Sequence, residues 1–388
     1  GRRKLSAQAC ASLSLIENLL ERKFDLNEIK KNERRQKKLT IATDVSFDEV
    51  CKISEQTSVC DQLEIVSSFK RIYPHKNLAS HILGYLGREN FAELPAGRSG
   101  LESILQNGLI GKNGSMEHVV NARGERLKLV SVMHPEAGND VKLTLDMELQ
   151  TFAEKVFEPG GSGAFVLFDP ENGALRAVAS FPSFDPNKFL EGISFSEWNK
   201  DFSAGSPLLN RAFNATYPPA SIFKLVTFAT ALELGVVDKT TTVDCKGFYE
   251  FGRRKYYCIR SWGHGKLTAR RAFELSCNAF CYDIGIRVGI DNMAQFAHAF
   301  GLGEKTGLLM PEKAGLVPSS AWKQGAKGEQ WWKGEDLSAS IGQSFLLTTP
   351  LQLARMLGSI FTGYLVRPRI LEEEAIETEA LEISKETL

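Results

Sequence analysis

Tyr217-Pro218-Pro219-Ala220-Ser221-Ile222-Phe223-Lys224 is the stretch that decides how this chain reads. The two prolines pre-set the backbone for helix entry, and a helix from Ala220 to Leu234 follows, ended by Gly235. Leu225, Val226 and Phe228 give that helix its buried side. Ser221 and Lys224 are three apart, so both side chains lie on one face, one turn from each other. A serine hydroxyl is a weak nucleophile and needs a base. A lysine can be that base where burial and the positive end of a helix disfavour its ammonium form. Backbone N–H groups at the same end can help hold an oxyanion. Alone, a Ser-x-x-Lys pair is commonly an ordinary surface pair, and its weight here comes from its surroundings.

Downstream, Ser276-Cys277-Asn278 lies between two helical stretches, Thr268 to Leu275 and Ala279 to Val288. A turn there can aim a hydroxyl and an amide into a cleft, one to relay a proton and one to hold a substrate amide. Upstream, Ser162 to Phe168 is apolar on both faces, which suits a central strand covered on both sides. Asp169 to Gly173 is a turn, and Ala174 to Ser180 is the return strand. Thr349 with Pro350 and Gln352 predicts a capped helix through Ile360. A strand pair followed by many helices predicts a mixed α/β (α+β) fold.

The bulk numbers set the frame. At 388 residues, two or three domains are expected. Hydrophobic residues make up 43% of the chain, enough for a large core. Lys plus Arg and Asp plus Glu are both 47, so there is no global basic field and no nucleic-acid partner is expected. The basic run Arg22 to Lys38 and the acidic run Leu371 to Leu388 read as solvated faces. Residues 1–140 are polar and charge-rich, with helices expected at Ser14 to Phe24, Asp44 to Glu55 and Leu101 to Leu105. The character changes near Val141, which divides an N-terminal domain, 1–140, from a second, 141–388. No run of about 18 apolar residues occurs. The opening Gly1-Arg2-Arg3 reads as an excised piece from which a membrane anchor has been cut away.

Many ordered pieces give the chain a wider resemblance. They include Arg71-Ile72-Tyr73-Pro74, His81 to Tyr85, Gly97 to Glu102, Asn121 to Gly124 and Leu143 to Asp146. Ala179 to Asn187, Ile341-Gly342-Gln343 and Thr349 to Gln352 continue the series. With the Ser221 and Ser276 motifs, the chain resembles the class B penicillin-binding proteins of the elongation type over nearly its whole length. The resemblance implies a β-lactamase/transpeptidase-like domain, with helices on a mainly antiparallel sheet, behind an elongated, non-catalytic α+β pedestal. It implies a D,D-transpeptidase that works in cell elongation at the outer face of the bacterial inner membrane. Ser221 would attack a stem peptide ending in D-Ala-D-Ala, and Lys224 would take its proton. Ser276 and Asn278 would assist, and β-lactams would acylate Ser221. A membrane glycosyltransferase of the elongation complex would be the partner of the pedestal. A soluble β-lactamase is the same chemistry ending in hydrolysis, and the long pedestal argues against it. A non-catalytic β-lactam sensor or assembly scaffold is the other alternative.

One departure concerns a third motif, Lys-Thr/Ser-Gly, which the family carries on an edge strand of the cleft. Lys305-Thr306-Gly307 has the letters, but it follows closely on the Ser276 helix, behind a helix end and turn at Phe300 to Glu304. It is expected to be a decoy. The true motif is expected beyond Leu388, which would leave this piece a poor transpeptidase.

Seven cysteines are present. Cys10, Cys51 and Cys60 read as buried or free thiols, and Cys281 as packed within its helix. Cys245, Cys258 and Cys277 fall in one stretch with His264 and make a Cys₃His set. Zinc suits such a soft tetrahedral site, and four protein ligands would make it closed and structural. Elongation-type relatives can carry a metal at corresponding places. The competing reading is a disulfide, because an exported domain meets an oxidising compartment.

Overall fold

The computed structural model describes residues 7–24, 29, 41–42, 45–57, 65, 71–87, 96–112, 114–121, 126–134, 136–157, 160–191, 193–203 and 205–388. The basic run to Lys38, the Asn121 to Gly124 piece and Cys60 lie largely or wholly outside them. The chain forms two compact units. One comprises Gly1–Pro74 with Arg88–Pro95, the other His75–Gly87 with Ala96–Leu388. This division is one of packing, distinct from the change of composition at Val141, and the hairpin before Val141 belongs to the second unit.

The first unit holds α1 (Ala7–Leu20) and α2 (Phe47–Thr57). Ser46 and Glu49 cap α2 reciprocally, each side chain accepting from the other's backbone N–H. Ile16 and Leu20 of α1 pack with Ile53 of α2, so the apolar spacing read from the sequence does face inward.

In the second unit β1 (Ser115–Val120) and β2 (Arg126–Met133) form an antiparallel hairpin. Next comes α3 (Met147–Lys155), whose N-cap Asp146 accepts from the N–H groups of Glu148 and Leu149. β3 (Gly163–Phe168) and β4 (Leu175–Phe181) pair antiparallel across the expected turn. Gln150 pins α3 to β4, donating to Val178 O and accepting from Val178 N, both at 2.8 Å. A buried amide is thus matched on both sides. β4 is deeply buried, but every residue of β3 is only half-buried, and among the described residues β3 pairs with β4 alone. An apolar run reports what a strand tolerates, and it cannot count the neighbours a strand has.

Among the described residues, two large clusters dominate the core of this unit. One, around Leu175, Val178, Phe213, Leu351 and Ile370, lies by the strand pair. The other is helical. It gathers Phe223 and Val226, Phe280 and Ile284, and Met293. Its axis is α4 (Lys224–Glu233), buried on nearly every face as a core helix must be. Four short strands follow: β5 (Thr242–Cys245), β6 (Phe248–Phe251), β7 (Arg254–Tyr257) and β8 (Gly265–Thr268). β5 pairs with β8 and β6 with β7. α5 (Asn278–Val288) then packs across α4 and under the hairpin. α6 (Pro350–Thr362) has the capping box that Thr349 and Gln352 promise, and Gly363 ends it in the left-handed region.

Candidate active site and cysteine–histidine cluster

Ser221 stands at the head of α4, though not on an α-helical turn. Ala220–Phe223 is a 3₁₀ turn, and α4 proper begins at Lys224. With three residues per turn, positions three apart stand directly over one another. The spacing of Ser221 and Lys224 fits this turn better than the α-helix the sequence suggests. Ala220 has φ +50°, costly for a residue with a Cβ. It is held there by its N–H, which donates to Gly342 O at 2.9 Å. Gly342 itself has φ +74°, and a Cβ on it would lie 2.0 Å from Ala220 O. Glycine at 342 is therefore what lets the segment after Ile341 seat the Ser221 turn.

The Ser276 turn is a helix stop joined to a helix start. The helix Ala269–Glu274 closes with Ser276 N–H on Phe273 O and Cys277 N–H on Ala272 O. That pairing is the Schellman pattern, whose left-handed residue is usually glycine. Here it is Ser276, at φ +50°. The next residue, Cys277, is the N-cap of α5. A serine in a glycine position, between two helices, is a constrained side chain rather than a surface one.

Lys224 joins the two motifs. It is 2% exposed, and its Nζ donates to Ser276 O at 2.7 Å, Ser276 Oγ at 2.9 Å and Asn278 Oδ1 at 2.6 Å. Burial pushes its pKa below the usual lysine value, while the neighbouring thiols Cys281, Cys258 and Cys277 pull the other way. Above these groups is a cleft of about 190 Å³, lined by Ser221, Ser276, Asn278, Tyr257, Ile259 and Gln343 among others. The arrangement offers an exposed hydroxyl, a buried amine and a second hydroxyl bonded to that amine. Those are the parts of base-assisted acyl transfer.

The cysteine set also converges. The ligand atoms of Cys245, Cys258, His264 and Cys277 all lie within 4.8 Å of one another. Cys258 Sγ is 3.8 Å from Cys277 Sγ, and His264 Nδ1 is 3.5 Å from both Cys245 Sγ and Cys258 Sγ. A tetrahedral zinc with ordinary bond lengths sets S···S at about 3.8 Å and S···N at about 3.6 Å. The donor set and its spacings fit such a metal. All four sulfurs in this stretch, Cys281 included, are free thiols, and 3.8 Å is far beyond a disulfide bond. Burial opposes ionisation of Cys258, but N–H groups of Ala279, Arg260 and Asn278 outweigh it and lower its pKa. Burial raises that of Cys277, and pushes Cys281, packed inside α5, up to about 12.

Glycine shapes the loop that bears the cluster. A Cβ on Gly263 would meet Cys245 O at 2.1 Å, and one on Gly247 would meet Ser261 O at 2.0 Å. Both have positive φ, so the loop closes on its own backbone where no side chain fits. Tyr257 and Tyr282 bear on Asn278 in a way the sequence does not announce. Tyr257 O accepts from Asn278 Nδ2 at 3.5 Å and from the Tyr282 hydroxyl at 3.4 Å. The one signal for Tyr282 is its place one helical turn after Asn278. Lys305-Thr306-Gly307 lies on no strand. Its Thr306 is buried and bonded to Glu312, and Gly307 N–H donates to the same carboxylate. Those letters lie in a loop and are not among the residues that line the cleft. His81, with no pattern in the sequence, bonds Pro207 O.

The mixed fold and the gathering of Ser221, Lys224, Ser276 and Asn278 at one cleft point to the penicillin-binding proteins, and sequence comparison shows that family. Residues 163–388 match the penicillin binding protein transpeptidase domain, and 6–143 the penicillin-binding protein dimerisation domain. The chain belongs to the penicillin-binding protein transpeptidase family. It is 30% identical over 379 residues to the peptidoglycan D,D-transpeptidase MrdA of Escherichia coli K12, covering 90% of this chain and 59% of that protein. It therefore spans less than two thirds of that relative's length. Penicillin-binding protein 2 of Helicobacter pylori, solved with MreC, superposes with TM-score 0.85 at 28% identity, covering 100% of this chain and 75% of that one. A chain of a peptidoglycan synthase complex coordinating polymerization and crosslinking matches with TM-score 0.77 at 34% identity, over 90% and 66% of the two chains. No helix among the described residues is long and apolar enough to cross a membrane.

Proposed function

We propose that this protein is a peptidoglycan D,D-transpeptidase of cell elongation, acting on the extracytoplasmic face of the inner membrane. The observation that carries the reading is Lys224: a buried amine bonded to Ser276 Oγ and Asn278 Oδ1 beneath the cleft that Ser221 lines. Ser221 Oγ attacks the carbonyl between the two terminal D-alanines as its proton passes to neutral Lys224. The proton moves through Ser276 to the departing D-alanine nitrogen, and an acyl-enzyme remains on Ser221. The amine of a second stem attacks that ester, loses its proton to the same relay, and Ser221 is released. Asn278, held by Lys224 and the Tyr257 carbonyl, positions the stem's backbone amide. A β-lactam presents a similar carbonyl and stops at the acyl-enzyme.

Zinc belongs to this reading as a structural ion held by Cys245, Cys258, His264 and Cys277, supported by their spacing. When bound it would fix the loop and the direction of the Ser276 turn, and it takes no part in the acyl transfer. The membrane glycosyltransferase and an MreC-like protein are proposed as partners of the region before 141, on the strength of the relatives' assemblies.

Intact-mass measurement of the full-length protein with penicillin tests the reading. One adduct is expected, on the peptide containing Ser221, and none after Ser221→Ala. An adduct that survives Ser221→Ala, or rapid turnover of penicillin without an adduct, would overturn it.

A further inference from the structure

The hairpin β6–β7 and its exit loop carry more charge than their fold requires. From Lys246 to Arg271 there are eight Lys or Arg against one acidic residue, Glu250, in a chain whose net charge is zero. All eight cations are exposed. Lys255 pairs with Glu250, and Arg270 and Arg271 share Glu274. Lys246, Arg253, Arg254, Arg260 and Lys266 have no ion-pair partner among the described residues. Concentrated cations of this kind set up a local field that gathers anions and speeds their arrival.

The same segment exposes apolar surface beside the cleft. Tyr249, Phe251 and Tyr256 face inward and pack on the helical core. Tyr257, Ile259 and Trp262 face outward, at 68%, 78% and 79% exposure. The Arg260 guanidinium lies 5.6 Å from the Trp262 ring centre, which holds a cation and an aromatic face together. Tyr257 and Ile259 also line the cleft with Ser221. The outward face therefore meets the cleft at Tyr257 and Ile259, with the Arg260–Trp262 pair next to them along the chain.

We propose that this surface, Tyr257 to Trp262 with the Arg253–Arg254 turn, docks an anionic stem peptide and leads its D-Ala-D-Ala end to Ser221. The proposal rests on the transpeptidase reading above. Charge complementarity selects the occupant. A stem peptide with free carboxylates along its length presents charge to the arginines while its terminus lies in the cleft. The outward tyrosine, isoleucine and tryptophan give its aliphatic parts a place to lie.

The experiment compares two synthetic pentapeptides ending in D-Ala-D-Ala, one with its internal carboxylates free and one with them amidated. D-alanine release is measured with the full-length protein and with Arg253→Gln/Arg254→Gln/Arg260→Gln. The triple variant is expected to raise KM for the acidic peptide about tenfold with kcat unchanged, and to leave the amidated peptide within about twofold. Trp262→Ala should raise KM for both peptides, because it removes apolar contact rather than charge. Penicillin acylation of Ser221 is the control for fold and for the underlying function. Its absence in the unaltered protein would sink the transpeptidase reading. Its presence, with acidic-peptide KM unmoved in the triple variant, would overturn the docking surface alone. Equal losses for both peptides would overturn charge recognition. Loss of binding to phosphatidylglycerol vesicles with KM unmoved would assign the surface to lipid and overturn the proposal.

Discussion

The helix that carries Lys224 and the loop that runs from Cys245 to His264 both reach the cleft, but they are held there by different forces. α4 is clasped by apolar side chains on nearly all faces. Burial of that extent is worth about 1.5–3 kcal/mol per large side chain and needs no ligand. The loop contributes Cys245 and Cys258 to the core, but its other residues between these and His264 are mostly half-buried or exposed. Its shape rests on two glycine contacts, the β5–β8 and β6–β7 pairs and the cysteine–histidine cluster. One wall of the cleft is therefore held by apolar burial, and the other by short strand pairs, close glycine contacts and the packing of its cysteines and histidine.

The sharpest break in that comparison is on the helix side. Lys224→Ala removes the amine while leaving the loop and its cluster in place. The penicillin acylation rate should fall by about 10²–10⁴, the usual worth of a general base, with metal content unchanged. In the unaltered protein the pH profile carries the same information. Burial lowers the pKa of Lys224, so the neutral amine appears at lower pH than in a free lysine. Acylation should rise with pH along a limb below the free lysine value of about 10.4, and that limb should vanish in Lys224→Ala. The linkage runs in the same direction. Below the free value the unfolded chain binds the extra proton, so stability also rises with pH there. A profile unchanged by the substitution would remove Lys224 from the role of base.

Cys277→Ser tests the other wall. It takes one sulfur from the cluster at the residue that caps α5 between Ser276 and Asn278. Metal content by elemental analysis should drop from about one zinc per chain, and acylation should fall about 10–100-fold, as when a metal site's supports are removed. A strong chelator should reproduce both effects in the unaltered protein, and zinc should reverse them. Full acylation in a metal-free protein would show that the loop holds itself.

The two walls were also unequally legible. The helix side could be read because burial leaves periodic apolar positions, and Leu225, Val226 and Phe228 are such positions. The capping box at Thr349 and Gln352 was legible because its chemistry is local. The cysteine set could be named from ligand type, while its convergence depends on how the chain returns at Gly247 and Gly263. What stayed hidden is backbone. Nothing in the letters says that Ala220 and Ser276 take positive φ, since each does so only because Gly342 or a Schellman closure demands it. The half-burial of β3 was hidden for a related reason: the number of strands beside it is a property of topology, not of its own side chains. Lys305-Thr306-Gly307 shows the converse, a familiar set of letters that lies in a loop and on no strand.

The smallest expected effect comes from a contact between α5 and the loop. Tyr282 lies on α5, one turn after Asn278, and its hydroxyl donates to the Tyr257 carbonyl, next to Cys258. Asn278 Nδ2 donates to that same oxygen. Tyr282→Phe keeps the ring in its contacts with Tyr249 and Tyr256 and removes only the hydroxyl. A neutral hydrogen bond is worth about 0.5–1.5 kcal/mol, and at 3.4 Å this one belongs at the low end. Acylation should therefore slow only a few-fold, with zinc content and melting temperature nearly unchanged. The informative measurement is the double variant. If the cluster acts on Asn278 through the Tyr257 carbonyl, Cys277→Ser already frees that oxygen, and adding Tyr282→Phe should cost less than it does alone. Strict additivity of the two losses would mean that the loop reaches the active site by some other contact, and that the carbonyl bridge is only a neighbour to both.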